Sequence, residues 1–246
     1  MKKVIAYSLW GNAQLYTVNC IRNTELAEKY YPDWLCYVYV GLGVPKGILD
    51  VLQTKRNTKL IFMNKDGNRE GRLWRFYAAS EPDVDIMISR DTDSLIGPRE
   101  IAAVNEWLDS GKKFHIMRDH TYHDVKIMAG MWGVRDHYLQ NMKQLVDSFL
   151  KTNNNTSKQI DQDFLGKTIY PIIIGNSLVH DPYKRHGHGK EFPIPRNRPW
   201  YEETLRGEWK ENCVWDGDDN NFIGKLAYGC DHAEYFDKYS DTIYKE

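Results

Sequence analysis

Asp91-Thr92-Asp93 sets two carboxylates one residue apart, directly after the apolar run Val84 to Ser89. Carboxylates that close repel each other unless a cation lies between them. A hard divalent ion, Mn2+ or Mg2+, meets that need, because it takes a few carboxylate oxygens and fills its other positions with water or substrate phosphates. The chemistry such a pair supports is departure of a diphosphate whose charge the ion neutralises. A bare Asp-x-Asp is also an ordinary polar turn, so the surrounding elements must decide between the two readings.

Other chemistry-bearing residues follow at intervals. His180, ahead of Asp181, is a candidate third metal ligand, with a loop or capping role as the alternative. Arg72 and Arg75 fall on one predicted helix just before the Asp-rich strand, where a guanidinium can meet a diphosphate; Arg72 is the stronger candidate and a solvent-facing role the alternative. Arg118-Asp119-His120, with His123 behind, closes a later strand and reads as substrate contact or as a structural salt bridge. Asp161 and Asp163 sit near a helix start, where an acid can accept a proton from an attacking hydroxyl or simply favour the helix dipole. The basic, Gly-rich stretch Lys184 to Lys190 reads as a phosphate-covering loop or a solvated one.

The elements that must position these groups alternate. Val4–Leu9, Leu35–Val40, Lys59–Met63, Asp83–Ser89 and Lys113–Met117 read as strands. Between them lie helical patterns: one expected to be capped by Asn12 and stopped by Pro32, one opened by Pro45, one over 71–79, and one from Pro98 to Gly111. This order predicts an α/β fold with a mixed, mostly parallel sheet flanked by helices, in which ligands bind beyond the carboxyl ends of the strands. Asp91 and Asp93 stand at such an end. Further on, Leu139 to Leu150 forms an amphipathic helix, a short helix starts near Asp161, and from Asn176 the chain reads as an irregular flap or tail. Residues 1–246 are expected to form one domain, with about 1–135 as the nucleotide-sugar half and about 136–246 as the acceptor half and C-terminal flap.

Composition narrows the function classes. With 33 Lys plus Arg against 34 Asp plus Glu, the formal charge of -1 offers nucleic acid no general attraction. No apolar run is long enough for a transmembrane segment, the opening residues lack a secretory pattern, and the four cysteines form no Cys-x-x-Cys pair, so a cytoplasmic protein with reduced thiols is expected.

Taken together, the opening strand Val4 to Trp10, Asp91-Thr92-Asp93, Gly130-Met-Trp-Gly-Val-Arg135, Asp161-Gln-Asp-Phe-Leu165 and His180 resemble the GT-A class of nucleotide-sugar glycosyltransferases over about residues 1 to 181. The resemblance implies a GT-A-like fold and transfer of a hexosyl or deoxyhexosyl group from a nucleoside-diphosphate sugar of UDP or GDP type to a hydroxyl of a glycan or related acceptor. It further implies Mn2+ or Mg2+ at Asp91, Asp93 and His180, and donor contacts from Tyr7, Ser8, Leu9, Trp10, Gly11, Arg72, Thr92, Arg118 and His120. The Gly130 segment looks like the acceptor-side turn of the class, and Asp161 or Asp163 like its acceptor-facing acid. Small viral and bacterial members with Arg-Asp-His after the fifth strand are similar. Glycogenin-like members end in His-x-x-Gly-x-x-Lys-Pro-Trp; the segment after His180 departs from that, leaving the third ligand and the retaining or inverting outcome open. Two other readings of the same carboxylates stand beside this one: a metal-dependent phosphohydrolase or nucleotidyltransferase, and a non-catalytic carbohydrate-binding protein.

Overall fold

The structure, a computed structural model, describes residues 1–154, 157–195 and 223–227. Its first strand, β1 (Lys3–Leu9), is apolar throughout its middle, and successive residues go to opposite faces: Val4 and Ala6 join one core cluster, Ile5 and Tyr7 the other. A strand buried on both faces needs helices on both faces, and the chain supplies them. Helix α1 (Gln14–Tyr30) follows, then β2 (Trp34–Val40), α2 (Lys46–Thr54) and β3 (Thr58–Phe62). The chain then forms the single-turn helix α3 (Gly71–Trp74), which tightens into a 3-10 helix over Arg75–Ser80. Strand β4 (Ile86–Ser89), α4 (Pro98–Asp109), β5 (Phe114–Met117) and β6 (Trp132–Arg135) come next. Helices α5 (Met142–Thr152), α6 (Ile160–Phe164) and α7 (Tyr170–Ile173), the last two joined by a π-helical segment over Leu165–Ile169, lead through a 3-10 turn at Ile174–Asn176 into the strand β7 (Ser177–His180).

The seven strands form one sheet in the order β3-β2-β1-β4-β6-β5-β7. β1, β2, β3 and β4 run parallel, β6 lies antiparallel between β4 and β5, and β7 runs parallel to β5. The carboxyl ends of β1, β4, β5 and β7 therefore share one edge, which collects the loops after Leu9, Ser89, Met117 and His180. The two core clusters fill the two faces, one around Trp74, Phe76 and Trp132, the other around Ile21, Val38 and Trp107.

Four expectations change in detail. Asn12 does not cap α1: Ala13 holds the cap position without a side-chain hydrogen bond. The expected helix over 71–79 is helical throughout but changes hydrogen-bonding pattern at Arg75. The Gly130 segment leads into β6, a central strand, because Trp132 and Val134 bury against both neighbours. The stretch from Asn176 is not wholly irregular: Ser177–His180 pairs with β5 as an edge strand. The parts of the expected flap at 196–222 and 228–246 lie outside the described residues.

Candidate active site

A cleft of about 390 Å³ opens over the carboxyl ends of β1 and β4. One wall is the turn after β1, with Ser8, Trp10, Gly11, Asn12, Ala13 and Tyr16; the other carries Arg72, Arg75, Asp91, Thr92, Asp93 and Asp161. That volume lies within the usual range for small-molecule sites.

Asp91 and Asp93 arrive here because β4 ends at Ser89 and the next residues leave the sheet. Alternation turns Arg90 the other way, where its Nε donates to Glu100 Oε1 at 2.6 Å and both side chains are 4% exposed. The loop is tied down on both sides. Arg90 N–H donates to Ala6 O at 3.1 Å on β1, Asn23 of α1 donates to Ser94 O at 2.8 Å, and Ala227 N–H donates to Asp93 O at 2.7 Å. Glycine at 130 is required by the antiparallel register: Ser89 pairs with Trp132, which brings Gly130 across from Asp91. A Cβ on Gly130 would stand 2.8 Å from the Asp91 backbone N and closer still to its carboxylate.

Arg75 is the centre of charge. Its side chain is 6% exposed and spans the cleft, with Nη1 donating to Asp91 Oδ1 and Nη2 to Asp161 Oδ2 at 2.9 Å. The backbone N–H of Arg75 is fixed by Ser8 Oγ at 3.0 Å. Burial and the charge of Asp91 push the Asp93 carboxyl up to about 7, against the opposing pull of Arg75. Asp161 is also raised, by burial first, while Arg75 holds it down. Three carboxylates thus share a partly dry cleft with Arg72 and Arg75, an excess of negative charge that a divalent ion would offset.

Trp10 forms the aromatic wall and rests on glycines. A Cβ at Gly71 would meet its ring at 2.9 Å, and one at Gly41 would meet its Cβ at 2.9 Å. The ring meets Trp74 edge-on at a centroid distance of 6.3 Å, and the Arg72 guanidinium lies 5.9 Å from its centroid. Arg72 is held there by a bond to Asn68 O at 2.8 Å.

The structure therefore brings together Ser8, Trp10, Gly11, Arg72, Asp91, Thr92, Asp93 and Asp161 from the predicted set. It does not bring the others to the cleft. Tyr7 and Leu9 point into the core beneath the sheet. Asp163 lies outside the cleft lining and pairs with Lys167 at 3.6 Å, one helical turn on. Arg118 and Asp181 form an ion pair at 2.7 Å in which both side chains are 0% exposed, the structural salt bridge of the two sequence readings. His120 is buried, and its Nδ1 accepts the Tyr122 N–H at 3.1 Å.

His180 is the clearest correction. It ends β7, and β5 and β6 stand between it and β4, so three interstrand spacings, roughly 14 Å, separate it from the Asp pair. Both ring nitrogens are engaged, Nδ1 with His115 Nε2 at 2.8 Å and Nε2 with Glu106 Oε2 at 2.9 Å. Burial holds the imidazole below its usual pKa, against the Glu106 carboxylate. Among the described residues, no group of three or more His, Cys, Asp or Glu side chains is close enough together to hold a metal ion by itself. Two carboxylates with room for phosphate and water are the donor set that Mg2+ or Mn2+ commonly uses, so the residues present fit such an ion without His180.

Sequence reasoning ranked Arg75 too low and missed Tyr16, Asn12 and Ala13. The signal for Arg75 was its spacing: three residues after Arg72, it shares that residue's helical face. What hid it was composition, since most helix arginines face solvent.

No protein-family model matches the chain, and no curated protein matches it in sequence. Solved structures do match. The galactosyltransferase LgtC, in complex with donor and acceptor sugar analogues, superposes with a TM-score of 0.55 at 12% identity, over 99% of this chain and 97% of that one. A glycosyltransferase involved in glycosylation of the major capsid of PBCV-1 gives a TM-score of 0.47 at 17% identity, over 74% of this chain and 82% of that one. GlyE of Streptococcus pneumoniae TIGR4 gives 0.48 at 12% identity, over 74% and 45%. The chain has the GT-A glycosyltransferase fold: an α/β architecture with a seven-stranded, mostly parallel mixed sheet between helices.

Proposed function

We propose that this cleft transfers a hexosyl or deoxyhexosyl group from a nucleoside-diphosphate sugar, of UDP or GDP type, to a hydroxyl of a glycan or related acceptor. The observation that carries the reading is the convergence of Asp91, Asp93, Asp161 and Arg75 opposite Trp10 in one cleft at the strand ends. LgtC, whose fold this chain shares along its length, is described with donor and acceptor sugar analogues, which supports the same two partners here.

Each residue's work follows from its position. Asp91 and Asp93 would hold Mn2+ or Mg2+, which supplies charge neutralisation for the departing diphosphate when bound. Arg75 fixes Asp91 and Asp161 relative to each other and offers a second, permanent positive charge beside the leaving group. Trp10 gives the nucleotide an apolar face, and Arg72 stands beside it for ribose or phosphate. Of the two acids near the start of α6, Asp161 lines the cleft and is the one proposed to face the reacting sugar and acceptor hydroxyl.

Nucleoside diphosphate release from UDP- and GDP-hexoses, with and without Mn2+, tests the proposal. Turnover that requires the metal and disappears in Asp93→Ala, with the variant's circular dichroism spectrum unchanged, is expected. Metal-dependent cleavage of the same donors to nucleoside monophosphate and hexose 1-phosphate would instead point to a phosphohydrolase. Donor binding without turnover under any acceptor would point to a binding protein.

A further inference from the structure

A second groove, of about 500 Å³, has Trp74 in its lining, the ring that meets Trp10 of the donor cleft edge-on. One side comes from the loop after β3 and the start of α3, the other from α5, about seventy residues further along the chain. Met63 and Leu150, both half-buried, give it an apolar floor over the buried Trp74, with half-buried Tyr77 beside them. Charges ring this floor unequally: Lys65, Arg69, Lys143 and Lys151 against Glu70 and Asp147. Lys65 is neutralised by Glu70 at 3.3 Å. Lys143, Asp147 and Lys151 repeat at every fourth residue and so share one face of α5. Neither Lys143 nor Lys151 makes an ion pair among the described residues, and the Lys143 ammonium lies 5.7 Å from the Tyr77 ring centroid.

This is a distinctive combination. Four cations against two carboxylates leave an excess of positive charge, which an anion placed among them offsets. An apolar and aromatic floor suits the C–H face of a sugar ring, while the rim of ammonium groups suits an oxyanion carried by the same molecule. We infer that the groove between α3 and α5 is a second ligand site, for a saccharide bearing a phosphate group. The inference stands on the chemistry of this groove and holds whatever the donor cleft transfers.

Titration calorimetry with glucose 6-phosphate, glucose and inorganic phosphate tests it. Glucose 6-phosphate should bind saturably, and both other probes at least about tenfold more weakly, since each offers half of the complementary surface. The double variant Lys143→Glu, Lys151→Glu should lose at least about tenfold in affinity with its circular dichroism spectrum unchanged, because both residues are exposed. Lys143→Gln alone, which adds no charge, should give a smaller loss of the same kind. Asp93→Ala should bind glucose 6-phosphate normally, which separates this site from the donor cleft. The inference fails if glucose 6-phosphate does not bind, if the lysine variants bind it undiminished, or if Asp93→Ala abolishes binding. Inorganic phosphate binding as tightly as the sugar phosphate would reduce the groove to a bare anion site and overturn the saccharide assignment.

Discussion

Replacing Asp93 with asparagine should make the metal-free protein more stable at alkaline pH, although it removes a functional carboxylate. Asp93 ionises near 7 rather than at its ordinary 3.8 because it is buried and faces Asp91. A carboxyl whose native pKa lies above its unfolded value binds its proton more tightly in the folded state. Stability therefore falls as pH rises from about 4 to about 7, and the full penalty persists above that range. The shift of about three units corresponds to an upper limit of about 4 kcal/mol. Solvent reaches Asp91, whose side chain is 41% exposed, and screens part of the repulsion. The expected gain for Asp93→Asn at pH 8 is thus about 1–3 kcal/mol, shrinking toward zero near pH 4. Urea unfolding at pH 8 and pH 4.5, in the presence of a chelator, measures both. Adding Mn2+ at pH 8 should then reverse the order, since only the wild type gains from metal binding. A variant less stable than the wild type at pH 8 without metal, or an equal difference at both pH values, would refute the reasoning.

Other substitutions probe the framework around that pair. Gly130→Ala forces the Asp91 carboxylate and backbone aside, so Mn2+ affinity should fall by about tenfold or more with the fold retained; calorimetry reads this directly. Arg75→Met leaves Asp91 and Asp161 without their shared cation, and about 3–5 kcal/mol should be lost at pH 8. Less should be lost at pH 5, where Asp93 is protonated; equal losses would remove charge repulsion as the cause. Asp181→Asn strands the fully buried Arg118 guanidinium and should cost about 3–5 kcal/mol in urea unfolding without changing Mn2+ affinity, because that pair belongs to the scaffold.

The comparison of sequence with structure has a physical pattern. Strands β1, β2 and β4 were legible because both faces are buried, which writes a continuous apolar run into the chain. Asp91 and Asp93 could be placed for the same reason: an apolar strand ending in acids marks a sheet edge. Strand β6 was hidden by its glycine at 133, where a Cβ would crowd Met87 O at 3.0 Å, and by a loop rather than a helix leading into it. That antiparallel strand also moves β5 and β7 one position further from β4 than a simple parallel order would. His180 consequently bonds to His115 and Glu106, and Arg118 to Asp181, away from the Asp pair. Spacing along a chain carries no information about which strand is inserted between two others, and it is that insertion that separates the predicted ligands.

Asp91 and Asp93 are proposed to form a two-carboxylate site for a divalent ion that also takes the donor's diphosphate. Calorimetric titration of Mn2+ into the protein at pH 8, with and without saturating UDP or GDP, tests this most directly. One Mn2+ site, tightened by one of the two nucleotides, abolished by Asp91→Ala or Asp93→Ala and unaffected by His180→Phe, is the predicted result. Mn2+ binding that survives loss of both aspartates, or that disappears with His180 while they remain, would contradict it.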